Sequence, residues 1–121
     1  MGAMTNFVLV PGSHHGGWSF EPVSSRLRSL GHAVYPLTLT GVGERNHLIS
    51  ASVNLDTHIT DVVSVLEAEQ ITEAVLCGHS YGGMVITGVA DRVPERLAAG
   101  HNLMRDAPDD LMRIVVEASN G

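Results

Sequence analysis

The chain has 121 residues, of which 44% are apolar and 17% charged, with a formal net charge of −6. That length supports one domain with a modest core, and its seven cations are all arginine, so the basic face that nucleic acid or an anionic membrane requires is absent. A single cysteine, Cys77, excludes an internal disulfide, and its position at the end of an apolar run predicts a buried, inert thiol.

Asn6-Phe7-Val8-Leu9-Val10 is a β-prone run ended by Pro11-Gly12. A glycine-rich loop, Ser13-His14-His15-Gly16-Gly17-Trp18, follows it directly. Loops at the carboxyl ends of strands are where α/β sheets bind ligands. Phe20, Val23, Leu27 and Leu30 then recur at helical spacing until Gly31. Residues 33–37 read as a second strand, with Pro36 marking its end or an edge position. A long loop, 38–54, leads to an amphipathic helix over 56–69, carried by Ile59, Val62, Val63 and Leu66, with Asp56 or Thr57 as its N-cap. Residues 74–77 form a third strand, and an apolar helix beginning around Met84 runs until Pro94. This alternation predicts an α/β fold with a doubly wound parallel sheet. No β-prone run follows residue 98, and residues 106–117 read as helical. The expected organisation is therefore a core over 1–98 and a helical or irregular tail over 99–121.

The sharpest local signal is Gly78-His79-Ser80-Tyr81-Gly82 between the third strand and its helix. Gly-x-Ser-x-Gly in that context is the nucleophile-elbow pattern. The turn strains the serine backbone and raises its hydroxyl above the sheet, and a Cβ at either flanking glycine would collide with the neighbouring strand or helix. The helix dipole then points at any negative charge developing there. The competing reading is a glycine-rich turn with a merely structural serine. Adjacent His14 and His15 lack a carboxylate or cysteine at ligand spacing, so no metal site is expected.

Three stretches together resemble one family. Val8-Leu9-Val10-Pro11-Gly12-Ser13-His14-His15-Gly16-Gly17-Trp18 resembles the first loop of the α/β-hydrolase fold, in the small-esterase branch of plant methylesterases and hydroxynitrile lyases. Gly31-His32-Ala33-Val34 and Leu39-Thr40-Gly41-Val42-Gly43-Glu44-Arg45 are similar to the next strand and loop in bacterial members. Gly78 to Gly83 resembles the elbow. The resemblance covers residues 5–98. It implies that Ser80 is the nucleophile and that the backbone N–H groups of Ser13 and Tyr81 form the oxyanion hole. It also implies that His15 shapes the first loop, that Trp18 packs near the pocket floor, and that His79 faces away from the serine hydroxyl. His32, His47 and His58 read as surface or structural.

Two departures stand out. Pro11 occupies a position where the family usually has histidine. The family's acid and base follow the serine in the order Ser, Asp, His, and neither is identifiable after Ser80 here. The expectation is an N-terminal half of such a hydrolase, with a strand cut out near residues 99–101 and a helical cap beginning around Asn102. The implied function is hydrolysis of small-molecule carboxylic esters through an acyl-enzyme, with no cofactor. A lyase of the same branch, cleaving cyanohydrins, and an inactive hydrolase-like binding domain are the alternatives. A cytoplasmic location is expected, and an open sheet edge after the third strand makes a homo-oligomer a further expectation.

Overall fold

The computed structural model describes residues 4–105, of which 99–105 are described by backbone. Four parallel strands form one sheet: β1 (Asn6–Val10), β2 (Ala33–Pro36), β3 (Ala74–His79) and β4 (Leu97–Arg105). Their order is β2-β1-β3-β4. Three α-helices connect them, α1 (Glu21–Ser29), α2 (Leu55–Ala68) and α3 (Tyr81–Arg92). Short 3-10 turns occupy Gly17–Phe20, Gly43–Leu48 and Pro94–Arg96.

Side-chain alternation along β1 divides the core between the two faces of the sheet. Phe7 and Leu9 join Phe20, Val23 and Leu27 under α1, with Val75 and Cys77 of β3. Val8 and Val10 face the other way, against Ile59, Val62 and Leu66 of α2 and Val85, Ile86 and Val89 of α3. The sheet is therefore doubly wound, with β1 and β3 central. Pro36 ends β2 at a sheet edge, where a missing N–H breaks no ladder bond. Burial pushes the Cys77 thiol pKa far up.

Two local expectations are corrected. α2 is capped by Asn54, not by Asp56 or Thr57. The Asn54 Oδ1 accepts the Thr57 N–H at 3.0 Å, and the Thr57 hydroxyl accepts the Asn54 N–H at 3.1 Å. This reciprocal box starts the helix at Leu55. Met84, expected inside, is 59% exposed, because α3 presents Val85, Ile86 and Val89 to the core instead.

The larger correction is β4. Its sequence, Leu97-Ala98-Ala99-Gly100-His101-Asn102-Leu103-Met104-Arg105, contains no β-branched residue, yet it pairs in parallel with β3. Backbone pairing to a central strand outweighs its weak intrinsic preference. The expected boundary at residue 98 falls inside this strand. Pairing is irregular at that point: Ala74 faces Leu97 and Leu76 faces Asn102, so β4 advances five residues while β3 advances two. The helix expected over 106–117 lies outside the described residues.

α3 crosses β1 at backbone contact. A Cβ on Gly82 would overlap the Val10 carbonyl oxygen and lie 2.9 Å from that of Pro11. Two loops are also tied together above the sheet. The Trp18 indole N–H donates to Glu44 at 3.0 Å, and the Thr38 hydroxyl donates to the same carboxylate at 2.6 Å. Those bonds, Thr38 first, hold the Glu44 carboxyl below its ordinary pKa. Trp18 itself is 59% exposed, not packed on a pocket floor.

Gly82→Ala is expected to destabilise the fold by about 3 kcal/mol, because the obstruction is backbone. Gly31→Ala, at φ 90° with nothing within 4 Å of the added carbon, is expected to cost only about 1 kcal/mol of left-handed strain. Urea midpoints that rank the two variants the other way would contradict the close approach. Glu44 stabilises its loop contact above the ordinary carboxylate pKa of 4.5, and that contribution is lost as pH falls through the lowered folded value. The emission of Trp18, the single tryptophan, should therefore hold steady through pH 4.5 on acidification and change only below it.

Candidate active site

The strand order reverses direction between β1 and β3, since the chain builds outward from β1 to β2 and from β3 to β4. In open α/β sheets, ligands bind outside the carboxyl ends of the strands at such a switch point. The glycine-rich loop after β1 and the turn after β3 lie at this point.

Ser80 is the lone residue between β3 and α3. Its backbone sits at φ 56°, ψ −119°, a conformation that costs a non-glycine residue of order 1–3 kcal/mol. Its neighbours impose it. A Cβ on Gly78 would lie 2.6 Å from the Gly82 carbonyl carbon and oxygen, so strand and helix meet at a distance that only glycine allows. The side chain of Ser80 is exposed as a result. Tyr81 opens α3, and its N–H is among the first-turn groups that helix geometry leaves without an intrahelical acceptor. The positive end of the helix dipole lies at the same point.

The loop after β1 reaches this turn. A Cβ on Gly12 would stand 3.3 Å from the Ser80 Cβ and 3.2 Å from the His79 carbonyl oxygen. Ser13, the next residue, is exposed. A tight turn follows, with the His15 N–H donating to the Gly12 carbonyl at 3.3 Å and His14 at φ 66°. The His15 ring donates from Nδ1 to the Ser13 carbonyl at 2.8 Å, since a carbonyl only accepts. That ring stands 6.3 Å from those of Trp18 and His79. The structure thus sets Gly12, the residue before Ser13, against Ser80, which Tyr81 follows directly, with His15 fastening the turn that carries Ser13.

His58, read from the sequence as surface or structural, is buried at 8% exposed. Its Nδ1 lies 2.7 Å from the Tyr81 hydroxyl and its Nε2 lies 2.9 Å from the Thr40 carbonyl oxygen. The signal was available in part: His58 stands three residues after Leu55 and four before Val62, on the inward face of α2. His32 accepts the Thr5 N–H at 3.0 Å, a structural role, and His47 is exposed. Among the described residues no three His, Cys, Asp or Glu side chains converge as a metal-ligand group. No helix among them is long and apolar enough to cross a membrane.

Residues 7–117 match the model of the Alpha/beta hydrolase family. A carbendazim hydrolyzing esterase from Nocardioides sp. (strain SG-4G) is 48% identical over 118 residues, covering 95% of this chain and 49% of the esterase. Salicylic acid-binding protein 2 from Nicotiana tabacum is 32% identical over 107 residues, 88% of this chain and 41% of that protein. Among solved structures, an extracellular alpha/beta-hydrolase from a Paenibacillus species matches with a TM-score of 0.69 at 32% identity, over 77% of this chain and 37% of that one. Polyneuridine aldehyde esterase matches with a TM-score of 0.68 at 28% identity, over 78% and 38%. The chain spans about half the length, or less, of the curated relatives it matches. On the family match and on the identity to the Nocardioides esterase, this chain belongs to the alpha/beta hydrolase family.

Proposed function

We propose that the chain carries the nucleophile half of a carboxylic ester hydrolase, with Ser80 as nucleophile. The observation that carries this reading is the backbone of Ser80, held at φ 56° between a central strand and a helix N-terminus with its side chain exposed. A structural serine gains nothing from that strain, whereas a nucleophile gains reach and a helix dipole. The names of relatives point the same way, since an esterase of Nocardioides and several methylesterases of Arabidopsis are among them.

In this reading Ser80 Oγ attacks the ester carbonyl carbon. The carbonyl oxygen becomes an oxyanion held by the N–H groups of Ser13 and Tyr81. The bond to the alkoxy group breaks, and the serine proton leaves with the alcohol by way of a general base. Water then attacks the acyl-enzyme, the bond to Ser80 Oγ breaks, and the carboxylic acid leaves as the serine hydroxyl is restored. Two preorganised donors contribute several kcal/mol, each being worth about 3–4 kcal/mol. No cofactor enters any step. The base and its acid partner are an Asp–His pair from the portion of the relatives' length that this chain does not span.

Small methyl esters are the substrates to try first, because the relatives named methylesterases act on that class by name. Joined to the portion that supplies the Asp–His pair, the chain should take one fluorophosphonate adduct, read by intact-mass spectrometry and absent in Ser80→Ala. Turnover of a methyl ester should fall on the order of 10⁶-fold in the same variant. A folded protein completed in this way that takes no adduct would favour the inactive binding domain. An adduct that survives in Ser80→Ala would put the nucleophile elsewhere.

A further inference from the structure

The proposed chemistry leaves one buried polar residue without a role. Among the described residues, His58 and Ser24 are the only buried polar side chains. Of the two, His58 alone has hydrogen-bond partners on both sides. The Thr40 carbonyl can only accept, so Nε2 of His58 carries a proton and donates to it. In the neutral ring Nδ1 is then a lone pair, and the Tyr81 hydroxyl donates to it. Burial pushes the Tyr81 phenol pKa up, which keeps that hydroxyl protonated and able to donate.

The far side of the imidazole is anchored as well. Thr40 gives its backbone N–H to Asp61 Oδ2 and its hydroxyl to Asp61 Oδ1, both at 2.7 Å. Asp61 stands three residues after His58, on the same face of α2. Two side chains of one helix therefore grip Thr40 from opposite ends, Asp61 at its N–H and hydroxyl and His58 at its carbonyl. Arg45 adds bonds to the Thr40 hydroxyl at 3.3 Å and to the Thr38 carbonyl at 2.8 Å. With the imidazole fixed in this way, its second nitrogen offers Tyr81 one defined acceptor. The two rings also meet edge-on, 5.5 Å apart at 82°.

We propose that His58 is a positioning residue, which holds the first residue of α3 through the Tyr81 hydroxyl and so aims the Tyr81 N–H at the ester oxyanion. This rests on the esterase reading above. Tyr81 follows the strained serine directly, so any rotation of the start of α3 moves both the N–H and Ser80. A strained residue persists only where its surroundings over-determine it. Gly78 and Gly82 supply that constraint through backbone contact, and His58 supplies it from α2, 23 residues away in sequence.

The test is a double-mutant cycle with His58→Phe and Tyr81→Phe, made in the chain joined to the portion that supplies the Asp–His pair, each variant checked for folding by circular dichroism. Tyr81→Phe removes one oxygen from a half-buried ring and keeps the N–H, so it remains informative if His58→Phe does not fold. Each single variant is expected to slow fluorophosphonate labelling of Ser80, and the kcat for a methyl ester, by about 10- to 100-fold. KM should stay within about 2-fold, and the double variant should be no slower than the worse single one. Nitrogen-15 histidine spectra should show Nε2 protonated and Nδ1 bare in the parent, with Nδ1 shifting in Tyr81→Phe. Rates unchanged in folded variants, or losses that multiply in the double variant, would overturn the proposal. A parent chain that reacts with neither probe would overturn the esterase reading, and this role with it. A reactive parent with indifferent variants would overturn this role alone.

Discussion

Backbone contact between α3 and the two central strands is the constraint from which the rest of the molecule follows. Gly82 lies against the Val10 and Pro11 carbonyls, and Gly78 lies against Gly82 itself. No side chain fits at either position, so the helix axis sits lower over the sheet than side-chain packing would ordinarily permit. The connection between strand and helix is thereby shortened to one residue. A single residue can reverse the chain so sharply only in a rarely populated conformation, and Ser80 adopts one. The strain at Ser80 is thus a product of packing beneath it. It is sustained by a core that places Val8 and Val10 under α2 and α3.

A second layer of organisation is polar. Above the carboxyl ends of the strands, loops whose regular structure is limited to short 3-10 turns are joined by side-chain bonds. Glu44 gathers Trp18 and Thr38, Asp61 and Arg45 gather Thr40, and His15 folds back on Ser13. Loops are ordinarily the most mobile part of an α/β unit. Here successive loops are each anchored to α2 or to one another, so this rim of loops shares the rigidity of the sheet below.

Much of this was legible in the sequence where the physics is local. Five apolar residues followed by Pro11-Gly12 defined β1, and the 3.6-residue recurrence of Ile59, Val62 and Leu66 defined α2. The elbow was legible because its requirement is steric and confined to five positions. β4 was not, because Ala98-Ala99-Gly100 carries no strand preference and its pairing depends on β3, more than twenty residues earlier. The Asn54 cap was missed because it requires knowing which residue accepts the Thr57 N–H. For His58, helical spacing could have revealed burial and nothing more. Its partners, Thr40 and Tyr81, lie 18 and 23 residues away, beyond the range of any periodic pattern. Trp18 misled for a related reason, since its partner Glu44 sits 26 residues on and draws the indole outward.

Cys77 occupies the middle of this construction, in a central strand three residues before Ser80, with no solvent exposure. Because burial keeps its thiol protonated, a thiol reagent can reach and react with it only when the sheet itself parts. The chain therefore contains one chemical reporter of cooperative opening and, just past the end of the same strand, the exposed hydroxyl of Ser80. Alkylation at the first reads how often the scaffold comes apart, while the second reads what the intact scaffold can do. Stability and reactivity can be followed side by side on one chain through two of its native side chains.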